Sequence, residues 1–179
     1  RAILGAKWTA IQSGLGQLID FSIFIVLARI LGPEDFGLVA LAAVFVNFTS
    51  IFCARGFGTA LVQRSDIAPE HLNSVFWTNV ALGLVLSIVM FAGSGHLANL
   101  FSDQRLENIL VALSPLCLLS SLVIVQQSIL RRGLKFKVLA FRSLVAKTLG
   151  GIVGVTAAVY GYGIWSLVIR QIVVAVISI

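Results

Sequence analysis

The chain alternates long apolar runs with short polar breaks. Six runs stand out, at roughly 8–31, 36–57, 74–97, 106–130, 138–160 and 164–179. Each of the first five has about 18 to 25 residues, the length a helix needs to cross a bilayer core. The sixth stops at Ile179. The connections are short, so neighbouring helices are expected to pack as antiparallel hairpins. The first break is LARILGPEDFG, Leu27 to Gly37. Gly32 and Pro33 are expected to stop one helix there, and Glu34 and Asp35 to open the next, where carboxylates suit the positive end of the helix dipole.

Composition agrees with this pattern. The 179 residues are 59% hydrophobic and 11% charged, with a mean hydropathy of +1.03. Soluble domains carry about 25% charged residues, and a soluble fold of this size leaves roughly a third of its surface in water. An all-α integral membrane protein is expected. The chain starts at Arg1 and ends inside the run IVVAVISI, so it reads as a piece of a longer protein. The first run is too long for a signal peptide and lacks a small-residue cleavage site.

The net charge of +6 would suggest nucleic acid in a soluble protein. Here the cations sort by side. Nine of the 13 (Arg1, Lys7, Arg55, Arg64, Arg131, Arg132, Lys135, Lys137 and Arg142) fall on one side, and only Arg29 and Arg105 on the other. Cations favour the cytoplasmic side. The N-terminus is therefore expected in the cytoplasm, and the basic balance reflects topology, not nucleic acid. Glu34, Asp35, Asp103 and Glu107 fall in the outer loops.

Three charges remain inside the runs. Asp20 is near the centre of the first, where a charge costs about 2.5–3.5 kcal/mol on insertion scales. At about 100° per residue, Gly5, Thr9, Gln12, Ser13, Gly16 and Gln17 lie within about 80° of it. Beyond Asp20 the same face turns apolar, with Ile23, Phe24 and Leu27. The stripe suits a cavity open to the inside, or a polar seam between helices. Lys147 shares a small-residue face with Ser143, Gly150, Gly151, Gly154 and Ala158, which would let helices approach closely. It either snorkels to the cytoplasm or points into a cavity. Arg170, beside Gln171, either snorkels outward or lines a cavity. The three charges could also meet.

Other polar positions carry less. Pro115, after Ser114, predicts a kink in the fourth run. Asn47 and Ser50 share a face, and Asn79 lies early in the third run; hydrogen bonding between helices or substrate contact explains them equally. Cys53 and Cys117 read as packing residues, and His71 and His96 as solvated loop residues. No metal-ligand spacing, phosphate loop or nucleophile motif is present. The outer loops are too short for a catalytic domain, so no enzyme and no cofactor is expected.

The segments LARILGPEDFGLVALA, GFGTALVQR, VFWTNVALGLVLS, ILRRGLKFKVLA and GYGIWSLV follow in this order. Together they resemble the Wzx-type polysaccharide flippases, particularly the colanic-acid exporter branch, within the multidrug/oligosaccharidyl-lipid/polysaccharide exporter superfamily. The resemblance covers essentially the whole chain. It implies the N-terminal six-helix lobe of a two-lobe exporter with 12 to 14 helices in the bacterial inner membrane. It also implies a central cavity that moves an undecaprenyl diphosphate-linked oligosaccharide by alternating access, coupled to an ion gradient. The partners would be that lipid-linked substrate, the bilayer, the C-terminal lobe and polysaccharide polymerase machinery. A diphosphate needs cations, and arginine suits it through bidentate hydrogen bonds. Arg29, Arg55, Lys147 and Arg170 are the candidates, with Asp20 a candidate carrier of a coupling proton. Gln12, Gln17 and Asn47 are further substrate-binding or ion-coupling candidates. A multidrug exporter of the same fold, a membrane-embedded glycan polymerase or ligase, and a structural membrane subunit remain as alternatives.

Overall fold

The structure is a computed structural model that describes residues 2–53, 69–132 and 136–178. Every regular element among the described residues is helical. In chain order these are α1 (Ala2–Ile30), α2 (Pro33–Cys53), α3 (Pro69–Phe101), α4 (Gln104–Leu113), α5 (Pro115–Arg132), α6 (Phe136–Val159) and α7 (Trp165–Ile177). Among those residues, four stretches are long and apolar enough to cross a membrane: Gln12–Ile30, Phe76–Leu100, Gln104–Val123 and Lys137–Val159. Leu18, Phe21, Phe48, Phe91 and Phe141 are each more than half exposed. Apolar faces this broad and uncovered belong against hydrocarbon. The protein is a multi-pass helical membrane protein.

The chain divides into two compact units, residues 1–39 with 130–179, and residues 40–129. In the first, α1 packs on α6 and α6 on α7. Leu27, Leu31, Val39, Ala158 and Leu167 form a core, with Ile23, Phe36, Val155 and Ile164 packed against it. The Gly32–Pro33 break falls where expected: α1 ends at Ile30, and Pro33 opens α2 with Glu34 and Asp35 in its first turn. The α6–α7 turn rests on glycine. Gly161 has φ +83° and Gly163 φ +53°. The amide of Gly161 donates to Ala158 O at 3.0 Å and that of Tyr162 to Ala157 O at 3.2 Å, closing the helix end with a left-handed residue.

In the second unit α3 packs on α4. Leu106, Ile109, Leu110 and Leu113 are buried, the i, i+3, i+4, i+7 stripe of one helix face. The side chain of Asp103 caps α4 by accepting from the Arg105 amide at 2.9 Å. Pro115 breaks the fourth run into α4 and α5, as its missing N–H requires. The carbonyl this would orphan, Val111 O, accepts from the Ser114 amide at 3.3 Å and the Ser114 hydroxyl at 2.8 Å. Ser114 O accepts from Cys117 N at 3.2 Å and from the Ser87 hydroxyl of α3 at 2.9 Å. Serines thus re-satisfy the break inside the apolar layer.

The third run is longer than its apolar pattern suggests, because α3 continues from Leu97 to Phe101 and ends at Ser102, a non-glycine residue with φ 56°. Close approach in this unit occurs at Gly83. A Cβ there would lie 2.4 Å from Ser121 Oγ and 3.2 Å from the backbone oxygen of Cys117. Backbone cannot move aside cheaply, so Gly83→Ala should destabilise the protein by about 1–3 kcal/mol. Gly93→Ala, where a Cβ meets nothing within 4 Å, should be neutral or stabilising by up to about 1 kcal/mol. Thermal unfolding of the purified protein in detergent compares the two.

Candidate functional site: an intramembrane charge cluster

The three charges inside the apolar runs meet. Lys147 Nζ donates to Asp20 Oδ2 at 2.6 Å, and Arg170 Nη2 donates to Asp20 Oδ1 at 2.6 Å. One carboxylate from α1 is therefore shared by one cation from α6 and one from α7. Two cations against one carboxylate leave a net positive charge. Asp20 lies within the span Gln12–Ile30 and Lys147 within Lys137–Val159. The Asp20 side chain is 41% exposed, Lys147 30% and Arg170 20%. Of the alternatives open for Lys147 and Arg170, the structure takes neither form of snorkelling; both turn inward to the acid.

Small residues on α6 make this possible, and they divide between two neighbours. A Cβ on Gly151 would meet Ile23 Cδ1 of α1 at 2.0 Å. A Cβ on Gly150 would meet Val174 Cγ2 of α7 at 2.3 Å, and one on Gly154 would meet Arg170 Cβ at 2.9 Å. On α1, a Cβ at Gly16 would lie 3.0 Å from Lys147 Nζ. Gly16 thus opens the path by which the lysine reaches the acid one turn on. The seats for Arg170 and Lys147 were visible in the sequence only as a small-residue face and a polar stripe. At the far end of α6, Arg142 donates to Ser178 O past the end of α7.

Arg29, Gln12 and Gln17 share α1 with Asp20. Arg29 is exposed in the last turn of α1, where a cation complements the helix dipole. Gln12 is half-buried and Gln17 exposed, both on α1. Asn47 is exposed on α2. Arg55 lies outside the described residues. Asn79 is fully buried, and neither amide atom has a partner among the described residues.

Beside the cluster, α1 and α6 also border an apolar groove of about 490 Å³ lined by Leu18, Ser22, Val26, Ile152 and Thr156 among others. Its hydroxyls turn back on their own helices: Ser22 donates to Leu18 O and Thr156 to Val153 O. The groove offers hydrocarbon a surface without open polar groups. Among the described residues no group of three His, Cys, Asp or Glu could hold a metal ion.

The fold and its cluster define a multi-pass helical membrane protein that carries paired charges between its apolar helices. Comparison with known proteins agrees with that class. The family described as polysaccharide biosynthesis protein matches residues 26–179. The succinoglycan biosynthesis transport protein ExoT of Rhizobium meliloti is 34% identical over 154 residues, covering 86% of this chain and 31% of its own length. The lipopolysaccharide biosynthesis protein WzxC of Escherichia coli is 28% identical over 177 residues, 96% of this chain and 34% of its own length. The teichuronic acid biosynthesis protein TuaB of Bacillus subtilis is 26% identical over 136 residues, 76% of this chain and 28% of its own length. No solved structure matches. The chain belongs to the polysaccharide biosynthesis protein family, the flippase family its motifs resemble. It spans about a third of the length of the curated relatives it matches.

Removing the shared acid leaves two facing cations. Asp20→Asn should cost about 1–3 kcal/mol, below the ~3–5 kcal/mol of a fully buried pair because the acid is partly exposed. The triple variant Asp20→Asn, Lys147→Met, Arg170→Met should recover most of that loss, as replacing all partners of an ion cluster often does. Chemical or thermal unfolding in detergent reads both.

Proposed function

We propose that residues 1–179 form the N-terminal six-helix lobe of a flippase for lipid-linked oligosaccharides in the bacterial inner membrane. The substrate is an undecaprenyl diphosphate carrying a sugar repeat, and the lobes move it to the outer leaflet by alternating access. The observation that carries this reading is the net-positive Asp20–Lys147–Arg170 cluster, with Asp20 and Lys147 inside membrane-spanning stretches, in a chain from this family. The names of ExoT, WzxC and TuaB, which point to succinoglycan, lipopolysaccharide and teichuronic acid, support the same substrate class.

The work in this reading is non-covalent and calls for no cofactor. Cations hold the diphosphate through charge-assisted hydrogen bonds. Gln12, Gln17 and Asn47 offer hydrogen bonds to a polar cavity while the lipid tail stays in the bilayer. Arg29 acts at headgroup level as an anchor or gate, and Arg55 is a further cation at the inner side. Asp20, shared between two cations, is the candidate for coupling transport to an ion gradient. The C-terminal lobe completes the cavity, and polysaccharide polymerase machinery receives the product.

Flipping of a fluorescent lipid-linked oligosaccharide by the full-length protein in proteoliposomes tests the reading. Asp20→Asn and Arg29→Ala should each slow flipping about tenfold or more, a loss of at least ~1.4 kcal/mol of barrier lowering, at unchanged protein levels. Wild-type rates in both variants would sink it. The orientation has its own test, single cysteines in place of Arg64 and Asp103. A membrane-impermeant maleimide applied to whole spheroplasts should label position 103 and spare position 64; the reverse pattern refutes a cytoplasmic N-terminus.

A further inference from the structure

The cluster is not symmetrical in its bonding. Arg170 grips Asp20 through Nη2 alone, and its Nε is buried with no hydrogen-bond partner among the described residues. A guanidinium holds a carboxylate best by two parallel bonds, one to each oxygen. Here the second oxygen, Oδ2, is occupied by Lys147. The oxygen that a two-bond fork would offer to Nε is thus held by Lys147 Nζ, and in this arrangement the buried Nε–H stays unmade.

The two cations also differ in how firmly they are seated. Arg170 is the more buried of the two. Its Cβ fits the space left by Gly154, and its backbone oxygen lies where a Cβ on Gly150 would be 3.3 Å away. Lys147 has a flexible four-carbon stem, more exposure, and the bare backbone of Gly16 beside its ammonium group. No partner other than Asp20 is seen for it among the described residues.

We propose that Lys147 is the cation this cluster gives up to an anionic ligand, and that Asp20 then closes on Arg170 as a two-bond fork. The terminal torsion of an aspartate is broad, so the carboxylate can turn Oδ2 from Nζ to Nε without moving the helix. The new bond satisfies the buried Nε and offsets the loss of the lysine contact. Arg170 is thus a positioning residue that keeps Asp20 occupied, and Lys147 is the ligand-contacting one. The ligand chemistry is an oxyanion of the phosphate class. Its identity as a lipid diphosphate rests on the flippase reading above; the exchange within the cluster does not.

The test uses the full-length protein in nanodiscs and has two arms. The first needs no ligand. With arginine labelled by ¹⁵N and the Arg170 Nε–H signal assigned through Arg170→Lys, Lys147→Met should shift that proton downfield and slow its exchange. Lys147→Gln serves as a second variant should the first fold poorly. An Nε–H signal unchanged in a folded lysine variant overturns the proposal.

The second arm measures binding of undecaprenyl diphosphate in the nanodisc and of inorganic pyrophosphate in solution. Lys147→Met should weaken binding about tenfold or more, the loss expected for one charge-assisted bond. Asp20→Asn, which releases the lysine, should tighten it. Wild-type affinity in Lys147→Met overturns the ligand role of Lys147 while leaving the flippase reading intact. A wild-type protein that binds neither probe counts against the flippase reading and the ligand role together, and the first arm still decides the exchange. Binding of pyrophosphate without the lipid names a free anion as the ligand and removes the lipid assignment alone.

Discussion

Everything in the first unit turns on one carboxylate in a place where a carboxylate should not be. Asp20 stands in an apolar span, and its two oxygens draw a lysine from α6 and an arginine from α7 to within 2.6 Å each. The cost of burying any one of these charges alone would be several kcal/mol. Together they offset one another, and a surplus positive charge is left on a partly exposed cluster. The small residues of α6 follow from this. Gly150 and Gly154 let α7 bring Arg170 close enough, and Gly151 lets α1 bring Asp20 close enough.

The same logic separates two kinds of polar residue in the fold. Ser114 covers the carbonyl that Pro115 leaves unpaired, and Ser87 bonds the neighbouring carbonyl of Ser114. Ser22, Thr148 and Thr156 turn their hydroxyls back to carbonyls of their own helices and so count as apolar surface. In the α1–α6–α7 cluster, by contrast, full charges meet, two of them within membrane-spanning stretches.

Much of this was legible in the chain. The Gly32–Pro33 break, the opening of α2 by Glu34 and Asp35, and the interruption at Pro115 follow from backbone rules that act over a few residues. The small-residue face of α6 followed from helical spacing, and so did the polar stripe on α1. What spacing does not contain is rotation and partner choice between helices. Asp20, Lys147 and Arg170 are far apart in sequence, and whether two of them snorkel or all three meet depends on how α6 sits between α1 and α7. The seat at Gly154 and the single-pronged grip of Arg170 are of the same kind. Arg29 shows the converse: its position about 180° around α1 from Asp20 already set it apart from the cluster, and its exposure agrees.

The sequence distance between the partners has a consequence for how the protein is made. Asp20 is separated from Lys147 by 127 residues and from Arg170 by 150. Helices enter the membrane in the order of their synthesis, so α1 must wait there with an unpaired acid while α2 to α5 are delivered. A nascent chain halted before α6 carries in its first helix a charge without the two partners that later offset it. The arrival of α6 and α7 is then the step at which the first helix becomes at ease in the bilayer.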